Sequence, residues 1–216
     1  MSTEWPLRQQ PDAPVLFARS LAADPGRLAF VVLDDDDEWF ISDGSEYSDD
    51  MEFNRAQFGS LPLRDALARI PALAALAILP PGMAADWDPV RRTWLLSSVA
   101  DSDDETEDQR HRQARIAAWP HPGSPVDEVQ VSSGLAEIPA DPATSPRAVR
   151  QVVREADGTW LFVGFEVPEA VEFETEALEL EHVVRLYPDV VTVLAAAPLQ
   201  VWDRANPHSP WEIVEG

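Results

Sequence analysis

LPLRDALARIPALAALAILPPGMAADWDPVRRTW, Leu61 to Trp94, returns later in the chain as LELEHVVRLYPDVVTVLAAAPLQVWDRANPHSPW, Leu178 to Trp211. Leu178, Pro188, Pro198 and Trp211 stand 117 positions after Leu61, Pro71, Pro81 and Trp94. Upstream, VVLDDDDEWFISDG (Val31 to Gly44) faces VVREADGTWLFVG (Val152 to Gly164), with Trp160 placed 121 positions after Trp39. A four-residue difference in an intervening loop reconciles the two offsets. A repeat of this period means a duplicated structural unit. What recurs is apolar residues, tryptophan, proline and turn formers; no His, Ser or basic residue recurs in a pattern that serves catalysis.

Working outward, each copy reads as a small α+β module of antiparallel sheet and helix, in the order β-β-β-α-β-β. In the first copy, strands are expected over Pro14 to Leu21, Leu28 to Leu33 and Trp39 to Ser42, with Asp34 to Glu38 as an acidic turn. Leu63, Leu67, Ile70, Leu73, Ala74 and Ala77 make one apolar helical face within Leu61 to Leu79. Pro71 starts a new helical segment there and Pro80-Pro81-Gly82 stops it. Met83 to Trp87 and Thr93 to Ser97 then form a closing hairpin.

The second copy is expected to follow suit, with strands at Val129 to Ser133, Ala148 to Arg154 and Thr159 to Gly164. A helix over Leu178 to Leu194 and a hairpin holding Trp202 and Trp211 complete it. Matching Trp202-Asp203 to Trp87-Asp88 needs a two-residue gap, which leaves that hairpin ambiguous. The domain reading is an arm over 1–12, a first repeat over 13–99, a linker over 100–126 and a second repeat over 127–216. DSDDETED (Asp101 to Asp108) followed by QRHRQARIAAW (Gln109 to Trp119) puts acid before arginine, the order a helix dipole favours, so the linker holds a short helix.

The 216 residues suffice for two modules that each bury a core. With no cysteine, disulfides, thiolate metal sites and Cys nucleophiles are excluded. The start MSTEWPLRQQPD has no signal-peptide pattern, and the longest apolar stretch, Pro71 to Met83, is too short to span a bilayer; a cytoplasmic protein is expected. Thirty-nine acidic against 16 basic residues leave a net charge of −23. That field opposes nucleic acid and anionic membrane and suits a basic protein partner, although acidity also serves solubility.

Candidate chemistry is sparse. An EF-hand starting at Asp101 would put Thr106 where the loop needs glycine and Arg112 where it needs a bidentate glutamate. His111, His121, His182 and His208 lie in no metal-ligand spacing. No nucleophile elbow, phosphate loop or dinucleotide glycine pattern occurs. No enzyme activity, cofactor or metal is therefore expected. Of the eight tryptophans, Trp39, Trp160, Trp94 and Trp211 read as core, whereas Trp5 and Trp119 suit packing between modules or against a partner.

DDDEWFISDGSEY (Asp35 to Tyr47) with IPALAALAILPPGMA (Ile70 to Ala84), and VVREADGTWLFVG with YPDVVTVLAAAP (Tyr187 to Pro198), resemble a family of small bacterial immunity domains. Members of that family, long described as a domain of unknown function, recur in the toxin–immunity loci of polymorphic toxin systems. Its usual D-S-G-W stands here as Asp36-Asp37-Glu38-Trp39 and Asp157-Gly158-Thr159-Trp160. The resemblance implies a stoichiometric inhibitor of a cognate protein toxin, and the charge suits a basic, nuclease-type one. Asp34, Asp35, Asp36, Asp37, Glu46, Tyr47, Asp49 and Asp50 are the expected partner-binding residues. A homodimer is compatible with the sequence. Two other readings are an enzyme whose site lies in the cleft between the repeats, and an acidic adaptor that recruits its partner through the linker.

Overall fold

A computed structural model describes residues 5–45, 48, 50–99, 105–140, 147–168 and 172–215. The chain divides into two compact units, Met1–Val99 with Ile138–Ser145, and Ala100–Glu137 with Pro146–Gly216. The first unit runs β1 (Pro14–Ala18), α1 (Arg19–Ala23), β2 (Phe30–Leu33), β3 (Trp39–Ser42), α2 (Met51–Gln57), β4 (Phe58–Pro62), α3 (Leu63–Arg69), a 3-10 segment (Pro71–Ile78), β5 (Met83–Asp88) and β6 (Thr93–Ser98). There follow α4 (Glu105–Ala118), β7 (Glu128–Ser132), β8 (Glu137–Pro139), β9 (Val149–Arg154), β10 (Trp160–Gly164), β11 (Thr175–Glu179), α5 (Leu180–Leu186), a 3-10 segment (Pro188–Val193), β12 (Val201–Asp203) and β13 (Glu212–Glu215).

The fold is α+β, and the duplication is topological. The first sheet has the order β4-β1-β3-β2-β5-β6-β8 and the second β11-β7-β10-β9-β12-β13, so each of the first six strands has a counterpart in the same place. Both sheets are mixed: β1 runs parallel to β3, and β7 parallel to β10, while β1–β4, β2–β3, β2–β5, β5–β6, β7–β11, β9–β10, β9–β12 and β12–β13 are antiparallel. The parallel pair exists because β2 hairpins with β3 on its far side, so the crossover from β1 skips one position. A strand not expected from sequence, β4 or β11, occupies the first positions of the anticipated helix and pairs antiparallel with the other side of β1 or β7.

The helical segments start at Leu63 and Leu180, two residues later than expected, and are shorter as α-helix. Proline disfavours helical backbone in the residue before it, and Ile70 and Tyr187 accordingly leave the helix at φ −126° and −131°. Beyond each proline the chain tightens into 3-10 geometry. Neither helix has a side-chain cap at its start. Instead Leu63 N–H donates to the Ala13 carbonyl at 2.8 Å and Arg64 N–H to that of Pro11 at 2.9 Å, repeated by Leu180 to Asp127 and Glu181 to Pro125, both at 2.9 Å. The backbone ahead of β1 and β7 thus satisfies donors that a helix end leaves orphaned.

Leu63, Ala66, Ile70, Leu73 and Leu76 are buried, as are their counterparts Leu180, Val183, Val190 and Val193. The sheet face lying against such a helix carries Val15, Phe17, Val31, Leu33, Trp39, Ile41, Met83, Ala85, Trp94 and Leu96, all buried. Trp94 donates Nε1–H to the Ala72 carbonyl at 3.2 Å, which ties β6 to the 3-10 segment. Trp39, Trp94 and Trp160 are core as expected, while Trp211 is half-buried.

Register also resolves the terminal hairpin. Ala85 pairs Leu96 and Trp202 pairs Ile213; Asp86 pairs Leu95 and Asp203 pairs Glu212. The offset therefore stays at 117, no gap opens, and Trp202 takes the place of Ala85. Trp87 corresponds to Arg204: Trp87 packs on Trp94 with centroids 4.9 Å apart, whereas the Arg204 guanidinium lies 4.3 Å over the Trp211 ring. Buried Arg204 is held by donation to the Val149 carbonyl at 2.7 Å and by an ion pair with Asp189. One position thus exchanges an aromatic pair for a cation–π contact.

The strand expected over Pro14 to Leu21 ends at Ala18, because α1 takes Arg19–Ala23. Sequence periodicity also leaves α2 and β8 unforeseen, as seven and three residues give a period little room. The hairpin turns of β2–β3 and β9–β10 are superposable in their bonding. Asp34 N–H donates to Glu38 O and Asp37 N–H to Asp34 O; Glu155 N–H donates to Thr159 O and Gly158 N–H to Glu155 O. The left-handed residue is Asp37 at φ 66° in one and Gly158 at φ 93° in the other. Gly158→Ala is expected to lower unfolding free energy by about 1 kcal/mol, from backbone strain alone, since nothing lies within 4 Å of a built Cβ. Gly158→Asp is expected to cost less because Asp visits this conformation more readily, and chemical denaturation of the two variants checks the order.

Candidate interaction face of the first sheet

The two sheets agree over most of the buried face, the β12–β13 end apart, and differ on the other. Alternation puts Leu16, Phe30, Val32, Phe40, Phe58, Asp86 and Leu95 on the outer face of the first sheet. At the matched positions the second sheet carries Gln130, Gln151, Val153, Leu161, Thr175, Asp203 and Glu212. Phe30 packs edge-on against Phe40 at 5.7 Å between centroids, and Phe40 meets Phe58 at 5.1 Å. Phe30, Val32 and Phe40 remain half-buried, Leu95 is exposed, and Met51 and Phe53 of α2 are exposed as well.

The exchange is paired. In the second sheet Gln151 Nε2 donates to Asp203 at 3.4 Å, and Thr175 Oγ1 to Gln130 Oε1 at 3.0 Å. In the first sheet the same two pairs are Phe30 beside Asp86 and Phe58 near Leu16. Replacing glutamine by phenylalanine strips Asp86 of its amide donor, and no described residue supplies an ion pair. Asp86 is exposed as a residue, yet desolvation among apolar neighbours pushes its carboxyl above the ordinary range. The outer face of one copy holds two hydrogen-bonded polar pairs around Val153 and Leu161; that of the other is an aromatic strip beside a carboxylate with no ion pair to a described residue.

The acidic hairpin continues this strip. Counting from Phe30, the outer positions of β2 are Phe30, Val32 and then Asp34, with Glu38 across from it. Asp34, Asp35, Asp36, Asp37 and Glu38 are all exposed. Asp34 is committed to the turn, its Oδ1 accepting from the Asp36 and Glu38 amides at 3.0 and 2.8 Å. Asp37 forms an ion pair with Arg8 of the arm. Asp35 and Asp36 keep carboxylates with no hydrogen bond to a described residue.

Asp50 lies apart from these four. It belongs to the connection leaving the other end of β3 and caps α2, accepting from the Glu52 and Phe53 amides at 2.9 and 3.2 Å. Its role there is local. Glu46, Tyr47 and Asp49 fall outside the described residues. The expected set is thus divided between a hairpin tip and a helix cap. The aromatic strip was missed because strand register, which brings Leu16, Phe40 and Val32 side by side, is not written in any one segment. Reading the two copies against each other at Phe30 and Gln151 would have signalled it.

Other charged clusters are occupied with the fold. Burial pushes the Asp43 carboxyl up, but hydrogen bonds from Ser20 and Ser45, with Arg27 at 3.3 Å, outweigh it and hold it below the ordinary range. Arg115 of α4 joins Glu179 and Glu181, its Nε 2.9 Å from Glu181. Ser132 Oγ donates to Glu166 at 2.8 Å and accepts from Gly164 N–H at 3.0 Å, while Tyr187 donates to the Leu135 carbonyl at 2.6 Å. Among the described residues no group of three or more His, Cys, Asp or Glu is arranged to hold a metal ion, and no helix is long and apolar enough to cross a membrane.

No family model matches the chain, and neither a curated protein nor a solved structure matches it.

Asp86 has a folded-state pKa above its unfolded value, so its ionisation opposes folding. The associated stability is fully present below the unfolded value of 3.8 and is lost as pH rises through the folded one. Asp86→Asn is therefore expected to raise the melting temperature at pH 7, with the advantage over the parent shrinking as pH falls toward 3. Paired thermal melts across that range check it.

Proposed function

We propose that this protein is an immunity-type inhibitor that binds a basic protein toxin in a stoichiometric complex in the cytoplasm, through the outer face and acidic tip of its first sheet. The observation that carries this reading is the divergence of the two outer faces on a conserved scaffold. Duplication preserved the topology and most of the core, while one copy alone carries half-buried Phe30 and Phe40 and exposed Leu95, backed by buried Phe58, at positions that are Gln151, Leu161, Glu212 and Thr175 in the other. Aromatic anchors rimmed by charge are the usual anatomy of a protein-binding patch.

The net charge of −23 supports a cationic partner. Asp35 and Asp36 at the tip offer steering, and Asp86 within the strip offers a carboxylate whose desolvation a partner cation would offset. The resemblance of the hairpin and helix motifs to immunity domains of polymorphic toxin systems points the same way.

Co-expression with the carboxy-terminal domain of the protein encoded by the neighbouring gene, expected to be toxin-like, is the test. Rescue of growth and a one-to-one complex are expected; toxicity without rescue, or no complex, sinks the reading. In that complex, Phe40→Ala is expected to weaken binding by about 2 kcal/mol, roughly thirtyfold. Leu161→Ala, the matched change in the second unit, is expected to alter it by less than about 0.5 kcal/mol. Asp35→Lys with Asp36→Lys is expected to slow association and flatten its salt dependence, read by surface plasmon resonance at two ionic strengths.

A further inference from the structure

The two sheets end at matched strands, β4 and β11, whose outward backbone groups differ. In the second sheet the Ser133 amide donates to the Glu174 carbonyl and the Leu180 amide to that of Asp127. These bonds fix the phase of the regular β7–β11 ladder: Glu174, Glu176 and Leu178 bond toward β7, and the backbone groups of Thr175 and Ala177 point away from the sheet. In the first sheet the Leu63 amide donates to the Ala13 carbonyl, so Phe58, Ser60 and Pro62 of β4 are the outward residues. There the Phe58 amide is taken by the Asn54 carbonyl at the end of α2, and Pro62 has no N–H to offer. The first edge is thus blunted by a helix and a proline. Among the described residues nothing accepts from the amides of Thr175 and Ala177.

Side chains add a second contrast. Alternation places Glu174 and Glu176 on the face that carries buried Leu178, and both are exposed, with no ion pair to a described residue. Their counterparts 117 positions earlier are Gln57 and Gly59, neither of them charged. We propose that the β11 edge binds an extended segment of another protein as an added strand, with arginine or lysine at alternate positions facing Glu174 and Glu176 and neutral residues between them. Main-chain hydrogen bonding to an open edge gives such additions their affinity, and side chains at alternate positions give the specificity. The two glutamates stand two residues apart on one face, so cations two residues apart on the added strand meet both in regular pairing. A second copy supplies no such cation, because β11 reads Thr175-Glu176-Ala177-Leu178-Glu179. Antiparallel pairing of two copies centred on Thr175 also sets Glu174 opposite Glu176, and like charges directly opposite are destabilising. A net charge of −23 on each chain adds to that repulsion. This edge belongs to the second sheet, so the inference stands apart from the binding face on the first.

The test uses the full chain and two synthetic probes, a hexapeptide alternating arginine with threonine and the same peptide with every backbone amide methylated. The second keeps the charge and loses the capacity to pair as a strand. Backbone amide exchange of Thr175 and Ala177 is followed at rising peptide concentration. The unmodified peptide is expected to slow exchange at least about tenfold and the methylated one to leave it unchanged. Glu174→Lys combined with Glu176→Lys is expected to cut that protection at least about threefold without shifting the melting temperature. Should that variant melt early, Glu176→Gln decides instead, with a smaller loss of protection expected. No slowing with either peptide, equal slowing with both, or protection indifferent to the glutamate substitutions would overturn the proposal. So would slowing that grows with protein concentration in the absence of peptide, because a second copy would then hold the edge.

Discussion

The burial of one sheet face beneath a proline-interrupted helix is the constraint on which both units depend. Leu63, Ala66, Ile70, Leu73 and Leu76 cover β1, β3, β2, β5 and β6 in the first unit, and the same spacing recurs in the second. The proline is integral to that cover. By ending α3 at Ile70, Pro71 divides the cover into an α-helix of seven residues and a 3-10 segment of eight. The backbone ahead of β1 fastens the helix start, so the parallel β1–β3 pair, the antiparallel β4 and the helix are positioned together.

Once one face is committed, the other is free to change. Strand geometry sends alternate side chains to opposite faces, so a substitution at Phe30 or Gln151 leaves Val31 or Val152 in the core. This separation explains why the copies share topology and, apart from the bulges at Val163/Gly164 and Val201/Trp202, register, yet carry an aromatic strip on one outer face and hydrogen-bonded polar pairs on the other. The same logic governs the edges. An edge strand leaves a row of donors and acceptors without partners, and the first unit covers β6 with β8, whereas among the described residues the matching β13 is the last strand of its sheet.

Charge follows the same division of labour. Asp34, Asp43 and Asp50 are consumed by turns, a loop and a helix cap. Arg115 and Arg204 are consumed by ion pairs and a ring contact. Asp35 and Asp36 at the tip and Asp86 in the strip, by contrast, have no side-chain hydrogen bond or ion pair to a described residue. A count of acidic residues cannot make that distinction, because it depends on which backbone amides each carboxylate reaches.

The sequence by itself determined that the chain is two copies of one α+β unit, that Trp39, Trp94 and Trp160 are core, that proline breaks each helix, and that hairpins close at Asp34 and Glu155. These follow from local rules, in which periodicity, proline geometry and turn residues act within a few positions of one another. Tertiary structure decided that β1 runs parallel to β3, that β4 and β11 exist, that β8 joins the first sheet, and that Trp202 stands where Ala85 does. It also split the expected acidic patch between a hairpin tip and the cap of α2, and assembled Phe30, Phe40 and Phe58 into one strip. Each of these depends on pairing between segments far apart in the chain, and strand register is set by the mutual fit of two surfaces, a property that neither segment carries alone.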